Sequence, residues 1–238
     1  MVLNFNALFS VPKPIIGMIH SAGSGKDEKV KRALEELTIY EEEGVDGAII
    51  EDYHGDQKDV YDILSKAHRK NFKMTIGVNV LNNPYLAFGY ASVFGGKFVQ
   101  FDSVQTADLD IVLYNQNRGW HPNIYVIGGV RFKYTKDTDN PLEQDLVEAR
   151  NRCEAIVTTG RGIGIETPLD KLRVFKRHLK DFPLIVGAGV TAENVHAQLS
   201  IADAAIIGSY FKPEFNTELP VERDRVRELM RNVRALRI

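Results

Sequence analysis

The sequence predicts a (β/α)8 barrel, and three observations carry that prediction. The chain runs as eight short apolar segments, each followed by a helical one, with none left over. Strict alternation of this kind calls for a parallel sheet with helices outside. The length, 238 residues, is close to the ~250 typical of one such barrel. The last two apolar segments end in small residues, Gly187-Ala188-Gly189 and Gly208-Ser209. The loops after strands seven and eight are where barrels commonly place backbone around a phosphate. A doubly wound open sheet is the competing architecture, and the regular units and paired glycine ends favour closure.

Lys13–Ile19 reads as strand one, with the loop His20–Lys26 behind it. That loop has Gly, Ser and Lys without Walker A spacing, so it is not a nucleotide P-loop. Asp27–Glu43 is helical, with Val30, Ala33, Leu34 and Leu37 at helical spacing and Gly44 as its stop. Asp46–Glu51 is strand two and Asp56–Lys70 the second helix, with Val60, Ile63, Leu64 and Ala67 on one face. Lys73–Asn79 is strand three, Asn83–Gly95 helix three and Lys97–Phe101 strand four. A short helix over Asp108–Asn117 is expected to turn Leu109, Val112 and Leu113 inward. Ile124–Val130 is strand five, Pro141–Asn151 helix five, Glu154–Thr158 strand six and Leu169–Leu179 helix six. Strand seven, a helix over Ala192–Leu199, strand eight and a final helix over Val221–Leu236 complete the chain. No strand alternates polar with apolar, as expected when both faces are buried. The domain organisation expected is one barrel over residues 1–238, with residues 1–12 as an N-terminal extension. The apolar stretch Val2–Val11 is expected to plug the barrel bottom or to pack in a homo-oligomer.

A net charge of −2 leaves no electrostatic footprint for nucleic acid or an acidic membrane surface. The apolar runs are too short to span a bilayer. The first residues lack the features of a signal peptide. Cys153 is the single cysteine, which rules out an internal disulfide and fits a reducing cytoplasm. Opening an apolar run, it reads as a small strand residue rather than a nucleophile.

In a barrel the strand C-termini converge on one mouth, where reactions occur. Glu51 ends strand two directly after two isoleucines. A carboxyl in a partly dry pocket can have a raised pKa and serve as acid or base; the alternative is a structural ion pair with Arg131 or Lys133. Asp52 either shares that role or caps helix two. His20 is read as a proton shuttle, with a metal ligand or backbone-bonded loop residue as alternatives. Lys133 can serve as Schiff-base former, base or oxyanion stabiliser. Asn79, Asp102, Arg131 and Thr159 are expected to hold substrate hydroxyls or carbonyls. Gly160, Gly187, Gly189, Gly208 and Ser209 are expected to cradle a phosphate with bare backbone. His20, Glu51 and Asp102 would be the set for a divalent metal, but no compact metal motif is present, so no cofactor is expected to be required.

GMIH at 17–20, IEDY at 50–53, GVNVLNN at 77–83, IVTTG at 156–160, VGAGVTAENV at 186–195 and DAAIIGSYFK at 203–212 run from end to end of the chain. Together they resemble the BtpA family, barrel proteins named for a photosystem I biogenesis factor. The resemblance implies the barrel and transfers no reaction. The chain also departs from the family pattern. Ser21–Lys26 stands in place of a proline-rich loop, and Gly129, Arg131 and Tyr134 surround Lys133 where the family carries an Asp and two His. Those departures leave open whether activity is altered or lost.

Two function classes follow. One is an enzyme on a small phosphorylated metabolite, a sugar phosphate isomerase, epimerase or aldolase-type lyase. The other, suggested by the family's name, is a non-catalytic assembly or regulatory factor that uses the barrel as an interaction scaffold. The second predicts an exposed apolar patch and a mouth whose polar groups are paired off.

Overall fold

The structure is a computed structural model that describes residues 3–136 and 138–237. Eight parallel strands close into a barrel in chain order. They are β1 (Ile15–Ile19), β2 (Gly47–Glu51), β3 (Thr75–Asn79), β4 (Phe98–Phe101), β5 (Tyr125–Gly129), β6 (Ala155–Thr158), β7 (Leu184–Val186) and β8 (Ala204–Ile207). The ring is closed by β8 against β1, with Ile15, Ile16 and Gly17 beside Ala205, Ile206 and Ile207. The chain is therefore a (β/α)8 barrel.

Among the described residues eight α-helices follow the strands: α1 (Lys26–Glu43), α2 (Gln57–Lys70), α3 (Leu86–Phe94), α4 (Ile111–Trp120), α5 (Leu142–Arg150), α6 (Leu169–Leu179), α7 (Val195–Leu199) and α8 (Arg223–Leu236). Their ends have local causes. Gly44 closes α1 in the left-handed region, at φ 80°, where glycine carries no Cβ penalty. Asp56 caps α2 in a reciprocal capping box with Asp59. Two helices are shorter than their sequence pattern suggests. α3 starts at Leu86 rather than Asn83, since a residue before proline, here Asn83 before Pro84, disfavours helix. α7 starts at Val195 rather than Ala192, because the Asn194 carboxamide turns back to accept from the Thr191 N–H and to donate to the Gly189 carbonyl.

α4 corrects one sequence expectation. The helix begins at Ile111, capped by Asp110, and its buried residue is Tyr114. Leu109 is buried ahead of the helix, while Val112 and Leu113 face solvent. Tyr114 is one position round from Leu113, so the true inner face lies about 100° from the expected one.

The core forms two layers, because successive side chains on a strand point to opposite faces. Ile15, Ile19, Ile50, Val78, Val99 and Val126 face the helices. Ile16, Met18, Ile49, Phe98, Ile127 and Ile185 are among those filling the barrel interior. Phe98 fills the space that Gly77 leaves on the neighbouring strand; a Cβ there would lie 2.3 Å from its ring. At the bottom, Phe5 and Phe9 of the N-terminal segment pack on this interior, the Phe9 ring 6.3 Å from that of Phe98. The described part of the N-terminal extension thus plugs the barrel. Among the described residues no helix is long and apolar enough to cross a membrane.

Candidate active site

Strand alternation decides which polar residues reach the mouth. On β2, Ile49 points inward and Ile50 outward, so Glu51 points inward and Asp52 outward. The same parity sends His20, Asn79, Gln100 and Asp102 toward the axis. Asn79 joins two carboxylates: its Nδ2 donates to Glu51 Oε2 at 2.8 Å and to Asp102 Oδ1 at 3.1 Å. Gln100 donates to the same Asp102 oxygen at 2.9 Å. Burial raises the Glu51 pKa to about 8, helped by the negative charge of Asp102 and opposed by Lys133 and the Asn79 hydrogen bond. A carboxyl in that state keeps its proton at neutral pH.

Lys133 reaches the cluster by an irregular path. β5 ends at Gly129, where a Cβ would lie 1.8 Å from the Asp102 carbonyl oxygen; glycine alone permits that crossing. Arg131 follows in the left-handed region at φ 45°. Its backbone N–H donates to Gln105 Oε1 at 2.7 Å, and its guanidinium turns to Asp145 and the Asn140 carbonyl. The Lys133 N–H then donates to Thr159 Oγ1 at 2.7 Å. Its ammonium lies 4.3 Å from the centre of the Phe132 ring. Burial lowers the Lys133 pKa, while Asp102 and Glu51 push it back up.

Among the described residues that line the cavity, those from the β7 and β8 ends carry no charge. Gly187, Gly189, Gly208 and Ser209 line the same cavity, of about 240 Å³, as Glu51, Asp102 and Lys133. Their spacing is tight. At Gly189, φ is 69° and a Cβ would meet the Glu166 backbone at 2.3 Å; at Gly208 it would meet the His20 ring at 2.8 Å. The Gly187 N–H is already committed to the Thr158 carbonyl, so this residue contributes space rather than a donor. His20 lines the same cavity and is buried, with Nδ1 lacking a partner. Burial and the nearby Lys212 hold its pKa well below the usual value, so the imidazole is neutral.

Four predicted residues lie elsewhere. Asp52 does not cap α2; it accepts from the Leu81 N–H at 2.8 Å and ties down the loop after β3. Arg131 is bound to Asp145 as described. Thr159 holds Lys133 by its main chain and is itself fully buried. Gly160 packs against the Glu166 carbonyl, where a Cβ would lie at 2.7 Å. Lys171 clamps this region by donating to the Arg131 and Thr159 carbonyls at 2.8 and 2.6 Å. Among the described residues no group of three or more His, Cys, Asp or Glu is placed to hold a metal ion.

The sequence offers Gln100 or Asp102 as the polar end of strand four, and both line the cavity; as lining residues, Tyr53, Phe132, Tyr134 and Ile163 were passed over. The signal was present for the aromatics: each follows a strand end within a few residues, in EDY and RFKY.

A model of the BtpA family matches residues 11–235. An uncharacterised protein of Pyrococcus furiosus is 28% identical over 249 residues, covering 92% of this chain and 94% of that one. The photosystem I biogenesis protein BtpA of Synechocystis sp. is 24% identical over 250 residues, covering 92% and 87%. Among solved structures, N-(5'-phosphoribosyl)anthranilate isomerase from Pyrococcus furiosus superposes with a TM-score of 0.63 at 15% identity, covering 94% of this chain and 99% of that one. A native KDPGal structure gives 0.66 at 14%, covering 93% and 95%. At these identities the likeness to the two solved structures is one of fold.

Proposed function

The chain belongs to the BtpA family, and from that premise and the geometry of its mouth we propose that it is an enzyme acting on a small phosphorylated carbonyl compound, a sugar phosphate in the first instance. The reaction is proton transfer beside the carbonyl, an isomerisation. One observation carries the reading: Glu51 and Asp102, held by a single Asn79 amide, share a cavity with Lys133 and with the bare backbone after β7 and β8.

The roles follow from charge and position. The protonated Glu51 carboxyl gives its proton to the carbonyl oxygen as charge develops there, and the resulting carboxylate removes the proton from the adjacent carbon; the reverse pair of transfers, to the former carbonyl carbon and from the neighbouring hydroxyl, completes the isomerisation and returns Glu51 to its protonated form. Lys133 supplies positive charge to the oxyanion that develops. The phosphate sits against Gly189, Gly208 and Ser209, and its binding energy positions the reacting carbons. α7 has only five residues, so loop N–H groups rather than a helix dipole supply the field. One solved structure that shares this fold is named as an N-(5'-phosphoribosyl)anthranilate isomerase, which agrees with the reading. No cofactor is assigned a step.

Incubation with phosphorylated aldoses and ketoses in deuterated water tests it. The expected result is enzyme-dependent deuterium incorporation beside the carbonyl, insensitive to EDTA and lost in Glu51→Gln. Absence of exchange, together with no thermal stabilisation by inorganic phosphate, overturns it. An imine on Lys133 is the lyase form of the same site, and borohydride trapping separates the two.

The assembly-factor reading has two observations in its favour. α4 shows solvent Val112 and Leu113, each more than two-fifths exposed, and the Synechocystis relative is named for photosystem I biogenesis.

A further inference from the structure

Two tyrosines at the mouth have no part in the proton-transfer chemistry. Tyr53 follows β2 and Tyr134 follows β5, and both line the cavity that holds Glu51 and Lys133. Both are left open: Tyr53 is 40% exposed and Tyr134 76%. Large aromatic side chains lose apolar contact when held in water, so their position at the rim of a cavity asks for a reason.

Each is held in place from behind. The Tyr53 ring packs edge-on against His54 at 4.6 Å and against His20 at 5.8 Å. Tyr134 is in the left-handed region at φ 63°, a conformation a bulky non-glycine residue adopts at a cost. Its hydroxyl reaches the loop after β6, where a Cβ on Gly162 would lie 3.3 Å away. The two rings border one cavity of about 240 Å³ from different strands, Tyr53 from the end of β2 and Tyr134 from beyond the end of β5. The same cavity is lined by the apolar side chains of Phe132, Leu81 and Ile163. A sugar phosphate alone offers hydroxyls to such a wall and matches it poorly.

We infer that Tyr53 and Tyr134 are the two jaws of a clamp for a flat ring, so that the substrate is a phosphorylated compound carrying an aromatic or heterocyclic group. This rests on the proposed phosphate-binding reading and narrows it. The phosphate lies on the β7–β8 side, the reacting carbons lie over Glu51 and Lys133, and the ring lies between the tyrosines. Stacking on an aromatic side chain contributes roughly tenfold or more in affinity per ring.

Calorimetry with four probes tests the inference: inorganic phosphate, ribose 5-phosphate, cyclohexyl phosphate and phenyl phosphate. Phenyl phosphate is expected to bind about tenfold more tightly than cyclohexyl or ribose 5-phosphate. Tyr134→Ala should erase that preference, Tyr134→Phe should keep it, and neither should change the affinity for inorganic phosphate. Tyr134 is exposed, so its truncation is not expected to compromise folding. Phosphate binding without a preference for phenyl over cyclohexyl sinks the clamp alone. So does an equal loss of inorganic phosphate affinity in Tyr134→Ala. Failure of every probe to bind removes the phosphate reading and the clamp with it.

Discussion

The two sides of the mouth are built on opposite principles. On the β2–β5 side, charged and amide side chains converge: Asn79 bonds both Glu51 and Asp102, and Lys133 lines the same cavity and biases Glu51 by its charge. On the β7–β8 side the inward strand-end positions are Gly187 and Gly208, and the neighbouring lining residues are uncharged. The first arrangement moves pKa values, because like charges and burial favour a retained proton on Glu51. The second cannot move a proton, but it lets an anion approach closely without competing side chains. Chemistry and anchoring are thereby separated, and substitutions on the two sides should fail differently.

The largest difference is expected from Glu51→Gln. It preserves shape and the contact with Asn79 but cannot exchange a proton. Turnover of a substrate found by deuterium exchange should fall by about 10²–10⁴-fold, while affinity for inorganic phosphate stays within twofold. Equal losses in both would erase the division between the two sides. Next is Gly189→Ala. A methyl at φ 69° and 2.3 Å from the Glu166 backbone combines strain with overpacking, about 3 kcal/mol of stability lost. The variant's chemical denaturation midpoint measures this, and phosphate affinity should fall with it.

A third prediction concerns pH and bears on the charged side alone. Glu51 has a folded pKa above its unfolded value. Between the two values the folded protein holds a proton that the unfolded chain has lost. Stability from this group is therefore greatest below the unfolded pKa and declines as pH rises toward about 8. His20 works in the opposite sense: its lowered pKa means stability is lost as pH falls below about 6.5. The window between about 6.5 and 8 is consequently where Glu51 shows uncompensated by His20. Unfolding free energy there should fall by up to about 1.4 kcal/mol per pH unit, and Glu51→Gln should flatten the slope. A wild-type curve already flat across that window would mean that Glu51 is ionised and solvated.

The barrel was legible because its strands are buried on both faces and its helices carry clear stripes, so each unit announces itself locally. Glu51, His20, Asn79 and Asp102 were legible as strand-end residues because inward and outward positions alternate. Asp52 is one step out of phase with Glu51, and that step alone sends it away from the axis. Arg131 was illegible for another reason: it sits past the end of β5, where a single left-handed residue re-aims the chain toward Asp145. Periodicity carries no information about such a turn. Tyr134 shares that loop and its left-handed backbone; its place just past a strand end was readable, its aim was not. On α4, apolar residues occupy both the inner and the outer face, so spacing alone could not choose between Leu113 and Tyr114.

That outer face of α4 provides the smallest expected effect and the test of what lies outside the mouth. Val112 is 63% exposed and Leu113 43%, so neither contributes much buried area to the fold. Replacing either with lysine should change stability by less than about 0.5 kcal/mol, and phosphate binding and deuterium exchange should be unaffected, because α4 touches neither side of the cavity. If the barrel instead acts as a docking scaffold, these two positions become the sensitive ones and Glu51→Gln the silent one. The sum of the pair is then decisive: a cell whose phenotype follows Val112→Lys and ignores Glu51→Gln contains a scaffold, and the reverse pattern identifies an enzyme. Exposure without function predicts no phenotype at α4, since isolated apolar residues on a surface are ordinary. The enzyme reading therefore requires the quiet result at α4 together with the loud one at Glu51.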